Sequence, residues 1–476
     1  MKKTPQANTG ITIPHKTGIA EIIPSQRVLT VPPDRPPTGS LRYSLGFPFQ
    51  AGPHTCGLLL MRMTEETPNY GFLDGSDVIL LDALKQADPP RIFAATRNAY
   101  ELGSTPDSNH LFMRSPLIGG FVPLGALRAD GTPHPHAGTG FGLAQAHRVP
   151  FRDNLFSWVS PERSDFNEIY QLAYDGTTFT ARLSDCRAQT ATDPLQIGDT
   201  GWWIMVSGLS SAIPDGDDLL SAATVARDNG TPVSVGVIRW TCRQGTWKPT
   251  AYDPVAISSG PAPTGPTPTE QCPWMEPSLA RANDNSLFFT ARDRDSFQQE
   301  GDQGQGYQLR LWRSTPAGLW HDMWKVPNAR LNAPLSINVT TDGTPYMVST
   351  PYDPTGIPET NETGRRRERL VLWPLSADGT KIEPFRLVRN CLADFGPPPS
   401  RTTLETAPEK WMADHPNGMN VRLKDGSWHH VLAYRVCHSP RYRASGAKPS
   451  PHSGCHVAEI ISQGPAKPMW RFAEDR

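Results

Sequence analysis

Two stretches near the end of the chain, and a cysteine–histidine group beyond them, carry side chains that can do chemistry. Asp414-His415-Pro416 follows Trp411 and precedes a strand pattern at Val421. A carboxylate can serve as nucleophile or base, and an imidazole as general acid or base near neutral pH. The same residues equally suit an Asx-type turn running into Asn417-Gly418. Further on, Trp428-His429-His430 and Tyr434-Arg435 share one strand pattern. Side chains alternate along a strand, which sends His429 and Arg435 to one face and His430 and Tyr434 to the other. A His, a Tyr and an Arg together are what a polysaccharide lyase needs: the Arg neutralises a uronate carboxylate while His or Tyr removes the C5 proton. Cross-strand packing is the competing account. Cys437-His438, His452, Cys455 and His456 are soft-ligand types without a standard zinc spacing. A Cys437–Cys455 bridge explains the cysteines equally well, and no metal or other cofactor is predicted.

Other candidates are set aside. His134, His136 and His147 flank the Gly-rich stretch at Gly138, Gly140 and Gly142. A phosphate-cradling loop needs a strand before it and a helix after it, and the pattern supplies neither. Trp202, Trp203, Trp240 and Trp247 offer either sugar-stacking faces or core.

The elements that must position these residues are short strands. Ser286–Thr290, Gln308–Trp312, Pro345–Ser349, Arg369–Trp373 and His430–Arg435 are brief alternating apolar runs that end near Gly, Asp or Pro. Asp-Gly pairs recur at Asp74, Asp130, Asp175, Asp215, Asp342, Asp378 and Asp425. The intervals of 45, 40, 36 and 47 residues that start at Asp130, Asp175, Asp342 and Asp378 lie at or near the ~40–50 residues of a four-stranded propeller blade. The expectation is an all-β chain, a single β-propeller of six or seven blades of four-stranded antiparallel sheets. Residues 1–40 read as a Pro-rich N-terminal segment, 41–476 as the propeller, and 258–271 as a long inter-blade loop within it. The strand Met469–Phe472 is expected to help close the ring.

Composition narrows the function. The formal net charge is -1, from 46 basic and 47 acidic residues, which gives no reason to expect nucleic acid or a membrane surface as partner. No run of about 18 apolar residues is present to span a bilayer as a helix. After Met1-Lys2-Lys3 the chain turns polar, without the apolar stretch of a signal peptide. The expectation is a cytoplasmic protein, or an extracellular or periplasmic one whose leader has been removed. Seven scattered cysteines do not form a disulfide framework.

A further segment adds a family resemblance. Trp274-Met-Glu276-Pro277 is followed by Leu287-Phe-Phe-Thr-Ala-Arg292, then by Ser314 to Gly318 and Trp320. This resembles the sialidase-like propellers, in which a Glu-Pro pair opens one strand, an Arg closes the next, and Asp-box turns staple the blades. Ser376-Ala-Asp378-Gly379 resembles a second worn Asp-box. The resemblance covers roughly residues 270–440. It implies that Glu276 assists the nucleophile and that Arg292 belongs to an arginine triad holding a sugar carboxylate. Arg367 or Arg369 would supply another triad member, with Arg42, Arg62, Arg97 and Arg114 open for the first. The family's nucleophilic Tyr is replaced: Asp414 or His415 stands where it is expected. The implied activity is sialidase-like cleavage of a glycosidic bond beside an acidic sugar in an oligo- or polysaccharide. Glu276, Asp414, His415 and His429 are the catalytic candidates, and Arg292, Arg367, Arg435 and Tyr434 the substrate-binding ones. A lyase acting on a uronate glycan and a non-catalytic glycan- or protein-binding propeller are the alternatives.

Overall fold

The computed structural model describes residues 18–24, 40–64, 76–81, 91–96, 110–152, 155–156, 164–187, 195–197, 200–207, 210–227, 231–257, 274–293, 309–315, 318–326, 334–350, 368–397, 410–439 and 452–475. The loop at 258–271 and Arg367 lie outside them, as does most of 1–40.

The described strands form a ring of antiparallel sheets. Sheet I is built on Ser40–Gly52, Thr55–Thr64, Ser76–Leu81 and Arg91–Thr96. Sheet II has His110–Val122, Thr139–Arg152, Ser164–Tyr174 and Phe179–Arg187. Sheet III has Thr200–Ser207, Asp218–Arg227, Thr231–Arg243 and Thr246–Ile257, with short flanking pieces. Sheet IV has Trp274–Arg281, Leu287–Asp293, Leu309–Ser314 and Trp320–Val326. Sheet V has Ser336–Val339, Pro345–Ser349, Arg369–Pro374 and Arg386–Asn390. Sheet VI has Lys410–Arg422, Trp428–Ser439 and Gly454–Ser462.

Each sheet packs on the next in chain order, and sheet VI packs back on sheet I. The first strands of sheets IV, V, VI, I and II touch one another in succession, so they line the axis. This is an all-β propeller, as the strand pattern predicts.

The ring is closed by the start of the chain. Ile19–Pro24 pairs antiparallel with Gly454–Ser462 and becomes the fourth strand of sheet VI. The buried carboxylate of Asp342 reinforces this closure. One oxygen accepts from Thr340 Oγ1 and from the N–H and hydroxyl of Thr344, and the other from the N–H groups of Gly18 and Gly464. Burial alone would raise its pKa, but these donors outweigh it and hold the carboxyl low. The C-terminal Arg471–Phe472 makes a separate ribbon with Ala126–Leu127, tying the chain end to the far rim of sheet II.

Hydrophobic clusters fill the clefts between neighbouring sheets. Leu58, Leu60, Val421 and Val431 pack between sheets I and VI. Tyr346, Leu372, Leu432 and Tyr434 pack between V and VI. Such wedges, rather than one central core, let a propeller grow by adding sheets.

The cysteine expectations are corrected here. Cys437 and Cys455 are both buried thiols, and no disulfide joins them. Cys455 stands opposite Arg435, two residues short of Cys437. His456 Nε2 lies 2.8 Å from the carbonyl of His452, and His452 stacks on Phe395. These aromatic and backbone contacts account for both imidazoles as packing.

Candidate functional site

The site is built where two axial strands begin. In Trp274–Arg281 the register slips between Met275 and Ser278, and Glu276-Pro277 occupies the slip. In Lys410–Arg422 it slips between Asp414 and Asn417, and His415-Pro416 occupies that one. The first strands of sheets I and II carry matching irregularities between Tyr43 and Gly46 and between Leu117 and Gly120. A bulge re-aims side chains at the rim of a barrel-like fold. Glu276 has φ 50° and His415 has φ 51°, a left-handed conformation that ordinary residues avoid. Each also precedes proline, which restricts its backbone further. Strain of this kind costs about 1–3 kcal/mol and is found mainly at functional sites.

Arg292 stands opposite Met275 on the adjacent strand, and its Nη1 donates to Glu276 Oε2 at 2.8 Å. Their side chains are 8% and 14% exposed, which leaves part of the Glu276 carboxylate reachable. Asp414 is fully buried and is gripped by Arg435, the residue directly across from it. Arg435 Nε donates to Oδ1 at 2.8 Å and Nη2 to Oδ2 at 3.0 Å. This two-pronged geometry is the strong form of the carboxylate–guanidinium contact. Burial opposes the charge on Arg435, but Asp414, Cys437 and Glu276 outweigh it and raise the pKa.

His415 turns its Nδ1 to Asp414 Oδ1 at 2.9 Å. A carboxylate only accepts, so the proton is assigned to Nδ1 and the lone pair to Nε2. Burial lowers the pKa of His415; Asp414 opposes this, Arg435 adds to it, and Glu276 opposes it again. The ring is 18% exposed while Asp414 is not exposed at all. This corrects the role expected of Asp414. A buried carboxylate clamped by Arg435 is not placed to attack a ligand; it orients His415 and stabilises its protonated form. The reachable members of the cluster are His415 and Glu276.

The structure therefore brings Glu276, Arg292, Asp414, His415 and Arg435 together. It separates the other candidates. Tyr434 points to the opposite face of its strand and is fully buried between sheets V and VI. Its hydroxyl accepts from Arg389 Nε at 3.0 Å, and burial pushes its pKa up to about 12. That environment fits neither a base nor a substrate contact. His429 shares a face with Arg435 as the alternation predicts, but the two are six positions apart along the strand, a span of about 20 Å. It belongs to the opposite rim, beside Ser427 and Glu459. Arg42, Arg62 and Arg114 lie on strands of sheets I and II.

Asn417, which the sequence offers only as a turn residue, is buried in the strand. It lies opposite Ala433, on the same face as Asp414, and is 1% exposed. Both atoms of its amide are buried without a hydrogen-bond partner. Beneath the cluster runs a second polar chain, in which Tyr346 Oη meets His430 Nε2 at 2.6 Å and His430 Nδ1 meets Asn420 Oδ1 at 2.6 Å. Asn420 Nδ2 donates to the carbonyls of Val339 and Thr340, which fixes its oxygen toward His430. His430 therefore donates from Nδ1 and accepts the Tyr346 hydroxyl at Nε2. Further along the axis, a cavity of about 290 Å³ is lined by the far ends of these strands, including Asn283, Thr340 and Asn420, together with Lys467 and Met469.

No family model matches the chain, and no curated protein matches it. Among solved structures it is similar to a Trypanosoma rangeli sialidase in complex with sialic acid, at 11% identity and a TM-score of 0.46. That alignment covers 93% of this chain but 59% of the sialidase, so the chain spans under two thirds of that protein's length. It is also similar to a Penicillium chrysogenum alpha-L-arabinanase complexed with arabinobiose, at 11% identity and a TM-score of 0.44, covering 95% of this chain and 100% of that one. A Fusarium graminearum alpha-L-arabinofuranosidase in complex with an iminosugar inhibitor aligns at 10% identity and a TM-score of 0.45, over 94% and 98% of the two chains.

Proposed function

We propose that this propeller is a carbohydrate-active enzyme that cleaves a glycosidic bond at its axis, using His415 and Glu276. One observation carries the reading: a strained imidazole and a strained carboxylate, on the bulges of two axial strands, are each held by a buried charged partner. In this reading His415 exchanges a proton with the leaving oxygen or the attacking water. Glu276 faces the positive charge that develops at the anomeric carbon. Asp414 and Arg435 keep the imidazole in the correct tautomer, and Arg292 keeps Glu276 in place. Each sheet of the ring is taken as one blade, which makes it six-bladed.

An acidic sugar is the finer part of the proposal. Arg292 and Arg435 place two cations in the cluster, but each is matched by a carboxylate. A substrate carboxylate must therefore compete with Glu276 for Arg292. Preference for sialosides or uronides over neutral arabinosides tests this point by itself.

The lyase reading keeps one specific support. A neutral imidazole oriented by a carboxylate is a suitable base for the C5 proton of a uronate, and His415 is such a group. His429 and Tyr434 no longer enter it.

The test is turnover of aryl sialosides, aryl arabinofuranosides and several uronate polymers, followed by both phenol release and the ultraviolet absorbance of an unsaturated product. Phenol release without the absorbance is expected. Absorbance alone would establish the lyase. Glycan binding without turnover, unchanged by Glu276→Gln, would make the protein a binding module and sink the enzymatic reading.

A further inference from the structure

His429 lies far from the axial cluster, yet its surroundings are chemically specific. It follows the turn between the first two strands of sheet VI, where Asp425 Oδ1 accepts from the N–H of Ser427 at 2.9 Å and also from its hydroxyl. His429 Nε2 stands 2.6 Å from Ser427 Oγ. Its Nδ1 is hydrogen-bonded to Glu459 on the neighbouring strand. Ser427 is exposed, while the His429 and Glu459 side chains are 22% and 17% exposed.

The turn alone does not require this arrangement. The same Asp-x-Ser/Thr geometry recurs at Asp130–Thr132, Asp175–Thr177, Asp284–Ser286, Asp342–Thr344 and Asp378–Thr380. In those five turns the hydroxyl contacts its Asp, and its further partners are the Arg313 guanidinium at Ser286 and the Ser376 hydroxyl at Thr380. At Ser427 alone among them does an imidazole, itself held by a carboxylate, reach the hydroxyl oxygen.

We propose that Ser427, His429 and Glu459 form a second reactive centre, a nucleophile, base and orienting carboxylate able to accept an acyl or phosphonyl group from activated esters. Glu459 takes the Nδ1–H of His429 and leaves the Nε2 lone pair facing Ser427. Ser427 Oγ attacks the electrophilic carbon or phosphorus while His429 takes the hydroxyl proton. The bond to the leaving group breaks, and the alcohol, phenol or fluoride departs with the proton carried by His429. With an acyl ester, water then repeats the sequence and releases the acid. No oxidant or metal is required. Asp425 competes with His429 for the hydroxyl proton, so it restrains the nucleophile as well as shaping the turn.

The test uses the full-length protein and a fluorophosphonate probe at pH 8, with tryptic mapping of the 425–435 peptide. The expected result is one adduct on Ser427, absent in Ser427→Ala. Labelling should slow at least about 100-fold in His429→Gln, the usual scale for loss of a general base. It should rise several-fold in Asp425→Asn, which keeps an acceptor for the turn but a weaker one. Glu276→Gln should label like the wild type, because the two sites are independent. Ser286, in the matching turn of sheet IV, is the internal control. Equal labelling of Ser286 and Ser427, no adduct on Ser427, or a wild-type rate in His429→Gln would each overturn the proposal.

Discussion

Replacing Asp414 strands a buried cation. Asp414→Asn keeps the shape of the pair but leaves Arg435 without its counter-charge inside sheet VI. Breaking a buried pair in this way costs about 3–5 kcal/mol, measurable as a lowered urea midpoint. Asn417 three positions on makes the opposite case. Its buried amide has no partner, so Asn417→Leu should be neutral or slightly stabilising, since it removes an uncompensated desolvation cost. A loss above about 2 kcal/mol would mean that the amide is satisfied after all. His415 supplies the pH dependence. Burial lowers its pKa, so its base form should persist below pH 6.5, with the acid limb of kcat/KM on the acidic side of that value. Asp414 opposes this lowering, so Asp414→Asn should move the limb further toward acid while reducing the rate. A limb above pH 7 would show that another group sets it.

The strands decide which candidates meet. Glu276 and His415 are each followed by proline, and the Glu-Pro pair and Asp414-His415-Pro416 were visible in the sequence as separate motifs. Their common role, two bulges at the starts of two axial strands, depends on register and is visible only in the sheets. The alternation rule placed His429 and Arg435 on one face correctly. It gave no measure of separation along the strand, so it grouped residues that lie at opposite rims. Asn417 was not legible as a buried residue because burial along Lys410–Arg422 depends on strands of sheets I and V that are distant in sequence. If the bulges hold strain for function, Glu276→Gly should cost less stability than Glu276→Ala while both abolish turnover, since both strand the buried Arg292 but only glycine accepts φ 50° freely. Equal losses in the two variants would show the conformation to be unstrained. Gly418 tests the packing beneath. A β-carbon there would fall 2.7–2.8 Å from His430 Nε2, Asn338 Oδ1 and Tyr346 Oη. Gly418→Ala should therefore cost about 1–3 kcal/mol.

At the scale of the ring, strand patterning and blade-like spacing made the propeller legible. Its closure was not, because the N-terminal strand's partner is sheet VI and its latch is a turn of sheet V. The expected closing strand near Phe472 makes a separate tie instead. Asp342→Ala removes the acceptor for Gly18 and Gly464 and should lower the melting temperature, chiefly by loosening Ile19–Pro24. Acid should act on the same region. Burial pushes His430 down to about 3, with Asp342 opposing, so it is neutral when folded. In the unfolded chain a histidine titrates near ~6.5. Stability from this group is complete above about 6.5 and is lost as pH falls toward 3, on the order of 4–5 kcal/mol in full. Urea unfolding between pH 7 and pH 4 would show the fall, and a flat profile would exclude it.

The central claim is that His415 and Glu276 form a catalytic site at the axis. The most direct measurement compares kcat/KM of the wild type, His415→Gln and Glu276→Gln on the best aryl glycoside, with melting temperatures recorded alongside. A loss of about 10²–10⁴-fold in each variant, with both variants still folded at the assay temperature, is expected for groups that move a proton or meet developing charge. Turnover within a few-fold of wild type in both would contradict the account, and would leave the two strained bulges as features of the fold alone.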